Sequence, residues 1–301
     1  MGMEGPNHIK VSVKALFVAN GSKGRQVAEV PLLLLPFISN SIRKPMTRST
    51  FLNALAALVL TIVSNPAQAA DFDHSHAAFT AVLQSSVKSE RVDYAALKNK
   101  PDALGGYLAS LAAVQENEFN VWSKDQRLAF LINLYNAATI KLVIDHYPVK
   151  SIKDIGSFIK GPWDQPVVHV FGRTVTLNHI EHDIIRPKYA EPRAHFALVC
   201  ASIGCPPLRG EAFDAAKLNE QLDDQGRVFF ASSSKNRVDA KRGVLYLSPI
   251  FKWFKADFTG KSGSVEKFVA PFFNAADKAA ILSGKLSIQF TDYDWSLNQQ
   301  K

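Results

Sequence analysis

The stretch between Ser123 and Pro148 constrains the fold most strongly. Ser123 and Gln126 have the S-x-x-Q spacing of a helix capping box, and Pro148 closes the segment. Leu128, Leu131, Ile132, Tyr135, Leu142 and Val143 recur at helical spacing, and Ala129, Ile140 and Ile144 cover the opposite side. A helix that is apolar nearly all round has to be buried, so the rest of the chain must wrap around it. Asn133 and Asn136 fall about one turn apart within that buried surface. A buried amide left unbonded costs about 1–3 kcal/mol, so each must find partners. Either the two tie down the backbone of neighbouring loops, or they line a polar ligand site.

The remaining periodicities are shorter. Phe79, Val82 and Leu83 share one helical face, and Arg91 to Tyr94 reads as extended. Leu104, Tyr107, Leu108, Leu111 and Val114 mark a second helix from about Asp102. Val167 to Leu177 reads as a β-hairpin turning at Gly172-Arg173, where a leading glycine suits a type II′ turn. Asn178 with Glu181 has capping-box spacing for a short helix stopped by Pro187, with His179, His182, Asp183 and Arg186 on its polar face. His195 to Cys200 reads as a strand, and Cys205-Pro206-Pro207 as an irregular loop. Asp214 is placed to cap a helix bearing Leu218, Leu222 and Phe229. Val244 to Leu247 reads as a strand, Ser248-Pro249 opens an aromatic helix over Phe251 to Phe258, and Leu286, Ile288 and Phe290 alternate as a last strand. With no repeats and no low-complexity linker, the pattern predicts an α+β fold: a mainly helical single domain with a small, largely antiparallel sheet.

The first 69 residues read differently. From Met46, Arg48 gives a positive head, Phe51 to Val63 is apolar apart from Asn53 and Thr61, and Pro66 precedes the small-x-small run Ala67-Gln68-Ala69. That is the anatomy of a secretory signal peptide over 46–69, with cleavage after Ala69. The apolar run falls short of the roughly 20 residues needed to span a bilayer, so no stable membrane anchor is expected after cleavage. A leader normally comes first, which makes residues 1–45 a doubtful upstream extension and Met46 the expected start. The domain then spans 70–301, and its expected location is periplasmic or secreted.

Charge follows the same division. The whole sequence carries a formal net charge of +8, but residues 1–69 hold seven Lys/Arg and two Asp/Glu, leaving 28 against 25 and +3 for the rest. No basic stripe is interleaved with aromatics, so nucleic acid is not an expected partner. At 47% hydrophobic and 21% charged residues, the composition is too apolar for disorder. No P-loop, G-x-G-x-x-G or G-x-S-x-G occurs, so neither a nucleotide cofactor nor an α/β-hydrolase serine is expected, and no cofactor is assigned.

Four segments, FLINLYNAATIKLVI (130–144), IEHDIIRPKYAEPRAHFALVCASIGCPPLR (180–209), LYLSPIFKWFKADF (245–258) and YDWSLN (293–298), resemble the bacterial and plant family called "domain of unknown function 547". The resemblance covers most of residues 90–298. It implies an α+β domain, often exported in bacteria, and brings no established activity with it.

Cys200 and Cys205 are the two cysteines of the chain, and both fall in the most distinctive segment. Four readings stay open for them. Outside the cytoplasm they could close a small disulfide if Ser202-Ile203-Gly204 reverses the chain. They could be buried thiols packed as small hydrophobes. One could be a nucleophile, which needs a base or positive field to form its thiolate. On an extended strand His195 and Cys200 would face opposite ways about 16 Å apart, at roughly 3.3 Å per residue, which makes His182 or His179 the better base. Zinc is the last reading, but Cys-x4-Cys has no second paired run beside it, and no metal site is assigned. Glu181, Arg186, Arg193 and Arg209 surround these segments and suit either a carboxylate-binding pocket or salt bridges that hold proline-flanked loops.

The candidate catalytic residues are therefore Cys200, Cys205, His182 and His195. The candidate ligand-binding residues are Asn133, Asn136, Glu181, Arg193, Ser202 and Arg209. Two functions are expected to compete. One is a non-catalytic domain that binds an envelope peptide or small ligand. The other is a thiol-dependent hydrolase or acyl transferase acting on an envelope substrate.

Overall fold

The computed structural model describes residues 71–157 and 159–300. The extension at 1–45 and the leader expected at 46–69 lie outside the described residues. Helix α1 (Ala77–Ser86) buries Phe79, Val82 and Leu83, as their spacing requires. A two-residue ladder, β1 (Val87–Lys88) with β2 (Arg91–Val92), leads into α2 (Tyr94–Asn99), which Asp93 caps through the amide of Ala96. Helices α3 (Asp102–Ala113) and α4 (Glu116–Val121) follow, and then the central helix α5 (Lys124–His146).

Helix α5 forms as its sequence demands. The Ser123–Gln126 capping box is complete in both directions, with the Ser123 Oγ accepting from Gln126 and the Gln126 carbonyl from Ser123. Sixteen of its 23 residues are buried. It is long and apolar enough to cross a bilayer, but its apolar window is packed inside the domain, as befits a core helix. Helices α2 and α3 lie against it.

The hairpin expected over Val167–Leu177 forms as β3 (Pro166–Val170) and β4 (Arg173–Thr176), with Val170 opposite Arg173. The turn residues are therefore Phe171 and Gly172, one position earlier than expected. Their φ angles of 53° and 68° are the two positive values of a type I′ turn rather than type II′. Phe171 accepts a left-handed backbone while its ring packs against Phe119 at 4.8 Å and Phe130 at 6.3 Å.

After the hairpin the chain forms a π-helical segment, His179–Ile185, continued by α6 (Arg186–Tyr189). No Asn178–Glu181 capping box closes it. Asn178 is itself helical and gives its amide to Asp164, while the Thr176 hydroxyl accepts the His179 N–H. The strand expected at His195–Cys200 is also absent. Ala194–Ala197 is a helical turn, α7, whose leading amides donate to the carbonyls of Glu191, Pro192 and Arg193. Every residue from Ala194 to Val199 is buried, and a short run buried on all sides has no period to separate strand from helix.

Helix α8 (Leu218–Ala231) starts without a side-chain cap. Asp214 instead accepts from Ala216 within the preceding turn. Strands β5 (Arg237–Asp239) and β6 (Val244–Leu247) pair antiparallel. The aromatic stretch expected as one helix breaks at Phe254 into α9 (Ile250–Trp253) and α10 (Lys255–Ser262). Helices α11 (Val265–Val269) and α12 (Ala275–Leu282) lead to β7 (Ser287–Phe290), which joins β6 in parallel. The fold is thus α+β and mainly helical, with small and largely antiparallel sheets.

Two apolar clusters hold the described residues together. The first surrounds α5 and gathers α1 to α4, the β3–β4 hairpin and the π-helical segment. The second is dominated by phenylalanine: Phe196, Phe229, Phe230, Phe251 and Phe258 pack with Leu245 and Leu247. Helix α7 spans the seam. Ala194 and Ala197 belong to the first cluster and Phe196 to the second.

Candidate functional site

At that seam lies a cleft of about 230 Å³. Its floor is Cys200, Cys205 and Pro206, one side carries Tyr135, Glu181, His182 and His195, and its wall includes Trp163, Trp253, Phe254, Tyr293 and Trp295. The sequence candidates Cys200, Cys205, His182, His195 and Glu181 therefore meet in one place. The bend at α7 is responsible, because it swings His195 toward the cleft, and the opposite-face argument for an extended strand does not apply.

The cysteine loop is held by the end of the chain. Ile203 and Gly204 donate their amides to the carbonyls of Ser296 and Asp294, and Asn298 donates to Ala201. Ser202 and Leu297 pair antiparallel. Gly204 sits so close to this strap that a Cβ there would meet the Tyr293 ring at 2.9 Å. The same strap presents Tyr293 and Trp295 to the cleft.

Cys200 is half-buried and Cys205 buried, and their sulfurs lie 2.6 Å apart with both cysteines free. The Tyr293 hydroxyl is 3.0 Å and the Ser202 Oγ 3.1 Å from Cys200 Sγ, and the Cys200 N–H donates to Cys205 Sγ at 2.9 Å. Burial pushes the Cys200 thiol up, but hydrogen bonds from Cys205, Ser202 and Tyr293 outweigh it and bring the group below its ordinary value. Burial, together with the neighbouring Cys200, pushes the Cys205 thiol well above its own. The Lys235 amine donates to the Cys205 carbonyl at 2.6 Å.

One ion pair organises both histidines. Arg186 forks onto Asp257, with Nε at 2.6 Å from Oδ2 and Nη2 at 3.1 Å from Oδ1. Arg186 Nη1 also lies 2.8 Å from His182 Nδ1, and since guanidinium can only donate, that nitrogen accepts and the ring proton sits on Nε2. Asp257 is held far below the usual carboxylate range by its hydrogen bonds to His195 and Arg186. It therefore accepts from His195 Nε2 at 2.8 Å. His195 Nδ1 then faces Glu181 Oε1 at 3.8 Å, too far for a hydrogen bond. The His195 ring stacks on Phe254, centroids 4.1 Å apart. Among the described residues no hydrogen bond joins a histidine to either sulfur.

The other candidates lie elsewhere. Asn133 gives its amide N–H to the Phe213 carbonyl and accepts the Phe213 N–H, while Asn136 does the same with Ala197 and Val199. Both are clamps on loop backbone, and neither lines the cleft. Arg193 is spent on Glu191, Asp223 and Asn219, and Arg209 on Glu211 and Asp224. His179 pairs with Asp183 at the surface. Ser202 is at the site, but buried behind Cys200 as its partner. The aromatic stretch Phe251 to Phe258 reads as core in the sequence, yet Trp253 and Phe254 line the cleft, and the sequence does not mark Tyr135, Trp163, Asp257 or Trp295 as site residues. Tyr135 reads there as one more apolar residue of α5, Trp163 precedes the β3–β4 hairpin, and Asp257 and Trp295 lie far along the chain. Among the described residues no group of three or more His, Cys, Asp and Glu could hold a metal ion.

Residues 119–230 match the model of a family described as "Protein of unknown function, DUF547". This segment belongs to that family. The DUF547 segment contains both cysteines, His182, His195, Glu181 and Tyr135, whereas Asp257, Trp253, Tyr293 and Trp295 fall after its end. No curated protein and no solved structure matches the chain.

Proposed function

We propose that the protein is an exported binding domain whose aromatic cleft holds a peptide side chain or a small organic ligand, with no chemistry required of it. The observation that carries this reading is the aromatic wall of Trp163, Trp253, Phe254, Tyr293 and Trp295 in a cleft whose polar groups include Glu181, His182 and His195. A concave, mainly apolar surface with a handful of placed polar groups is what small-ligand sites have in common. A volume of about 230 Å³ suits one bulky side chain or a fragment-sized molecule better than a large cofactor. The leader at 46–69 supplies export, and an oxidising compartment would let the two cysteines close into a disulfide that fixes the floor.

Tryptophan fluorescence tests the binding reading, because three of the four tryptophans line the cleft. Titration with pools of short peptides and with small aromatic and aliphatic acids is expected to change the emission saturably, and Trp253→Ala to weaken the effect at least about tenfold. No saturable change with any pool at millimolar concentration, or an unchanged response in Trp253→Ala, would sink it. The mass of the secreted protein, alkylated without reductant, tests the rest. Cleavage after Ala69 and two missing hydrogens are expected, and a mass that retains residues 46–69 would refute export by that leader.

A second reading is favoured by the lowered Cys200 thiol: a hydrolase or acyl transferase with Cys200 as nucleophile and His182 or His195 as base. An acyl adduct on Cys200 after incubation with activated esters, lost in Cys200→Ser, would displace the first reading.

A further inference from the structure

Neither a binding cleft nor a simple thiol hydrolase needs two sulfurs at its floor 2.6 Å apart. The two are also unequal. Both line the cleft, but Cys200 is half-buried and lies between two hydroxyls, while Cys205 is buried under the Cys200 N–H. Their spacing is imposed by backbone: Ala201 is left-handed at φ 55°, and Ala201, Ile203 and Gly204 are tied to the C-terminal strap. The Lys235 amine on the Cys205 carbonyl places positive charge beside the pair. A more exposed sulfur with donors for its thiolate, beside a more buried one within bonding reach, is the arrangement thiol–disulfide exchange requires. A disulfide that only braces a loop has no use for an open sulfur inside an aromatic cavity.

We propose that Cys200 and Cys205 are a thiol–disulfide exchange pair acting on an organic disulfide seated in the cleft. This rests on the cleft being a binding site, and names the chemical class of what it binds. The Cys200 thiolate attacks one sulfur of the ligand's S–S bond. That bond breaks, its far sulfur leaves as a thiolate, and Cys200 is joined to the ligand in a mixed disulfide. Cys205 Sγ then attacks Cys200 Sγ, the mixed bond breaks, and the second ligand sulfur departs with the electron pair. One departing thiolate takes the Cys205 proton, and solvent returns to the other the proton that Cys200 had released. Two protein thiols are oxidised to a disulfide, and one ligand disulfide is reduced to two thiols. The lowered Cys200 and raised Cys205 thiols suit the attacking and resolving roles.

The probe is glutathione disulfide, added to the reduced full-length protein and followed by intact mass and peptide mapping. Cys205→Ser is expected to trap one glutathionyl group on Cys200, at least about tenfold faster than the same protein unfolded in urea. Wild type should react as fast but finish as an internal disulfide without adduct, and Cys200→Ser should lag at least about tenfold. A Cys205→Ser rate no greater than that of the unfolded chain, or an adduct on Cys205 in Cys200→Ser at the wild-type rate, overturns the proposal. The Cys200→Ser/Cys205→Ser double variant separates the two readings. If it keeps the fluorescence response while Cys205→Ser takes up glutathione no faster than its unfolded chain, the cleft stands and the exchange reading falls. If no ligand changes the fluorescence and exchange is no faster than in urea, both fall.

Discussion

Arg186 does more at the residue scale than its half-buried position on a short helix suggests. It donates to His182 and, through Asp257, fixes the side of His195 that bears the proton. Replacing it by leucine should therefore disturb two imidazoles, one of which it does not touch. Arg186→Leu is expected to shift the ring ¹⁵N signals of both His182 and His195, whereas Arg193→Leu, which breaks an ion pair outside the cleft, should shift neither. A spectrum in which only His182 moves would dissolve the link through Asp257. The asparagines of α5 act in the opposite way, on the frame rather than the site. Asn136→Ala leaves the buried Ala197 carbonyl and Val199 N–H without partners, a loss of about 2–4 kcal/mol in urea unfolding. Because those partners lie at the end of α7 and just after it, the same change should also loosen the histidine side of the cleft.

At the scale of elements, the strap and the cysteine loop behave as one unit. Gly204→Ala would set a methyl group against the Tyr293 ring and 3.0 Å from the Asp294 nitrogen. Overpacking of this kind costs about 1–3 kcal/mol, and here it should push the strap away. The Tyr293 hydroxyl would then leave Cys200, so a lower melting temperature should come with slower iodoacetamide alkylation of Cys200. Unchanged alkylation in a destabilised variant would mean that the strap does not govern the sulfur. This unit also shows where sequence reasoning stopped. Helix α5 was legible because 23 residues share one cap and one period, and even the loop-clamping role of its asparagines stood among the alternatives. The turn at Ala194–Ala197 was not, since a segment buried on every side carries no alternation. The π-helical segment was not legible either. Its Asn178–Glu181 spacing fits a capping box, and the Thr176 hydroxyl that accepts the His179 N–H instead belongs to the preceding strand. The cysteines, His182, His195 and Glu181 could be named from one stretch of chain, but apart from Trp163 the wall that makes them a site arrives more than 40 residues later, with Trp253 and Trp295.

The whole molecule answers to pH through a group far from the cleft. His76 is buried at the start of α1 with its Nδ1 2.7 Å from the Tyr107 hydroxyl and its Nε2 without a partner. Burial pushes its pKa down from 6.5 to about 4, against the pull of Asp73 and Asp214, while the neighbouring His74 adds to the fall. The unfolded chain then takes up a proton near pH 6.5 that the folded chain refuses until about pH 4, so stability is complete above that window and falls as the pH drops through it. A shift of this size corresponds to about 3 kcal/mol, most of it lost by pH 4. His74 is lowered by burial as well and contributes with the same sign. Asp257, whose carboxyl is depressed, adds its own loss only below the ordinary carboxylate range, where protonation breaks its bonds to Arg186 and His195. The two contributions can therefore be separated along the pH axis. His76→Asn keeps a residue type that tolerates the left-handed φ of 51° but removes the titration. It should flatten the stability curve between pH 6.5 and 4 and leave the steeper fall below pH 4 in place. Asp257→Asn should leave the slope between those limits in place and soften the fall below pH 4, which Asp257 shares with the depressed Asp73, Glu191, Glu211 and Asp294. Urea unfolding from above pH 6.5 to below pH 4 reads both, and a His76→Asn curve as steep as the wild type between those limits would place the acid sensitivity elsewhere.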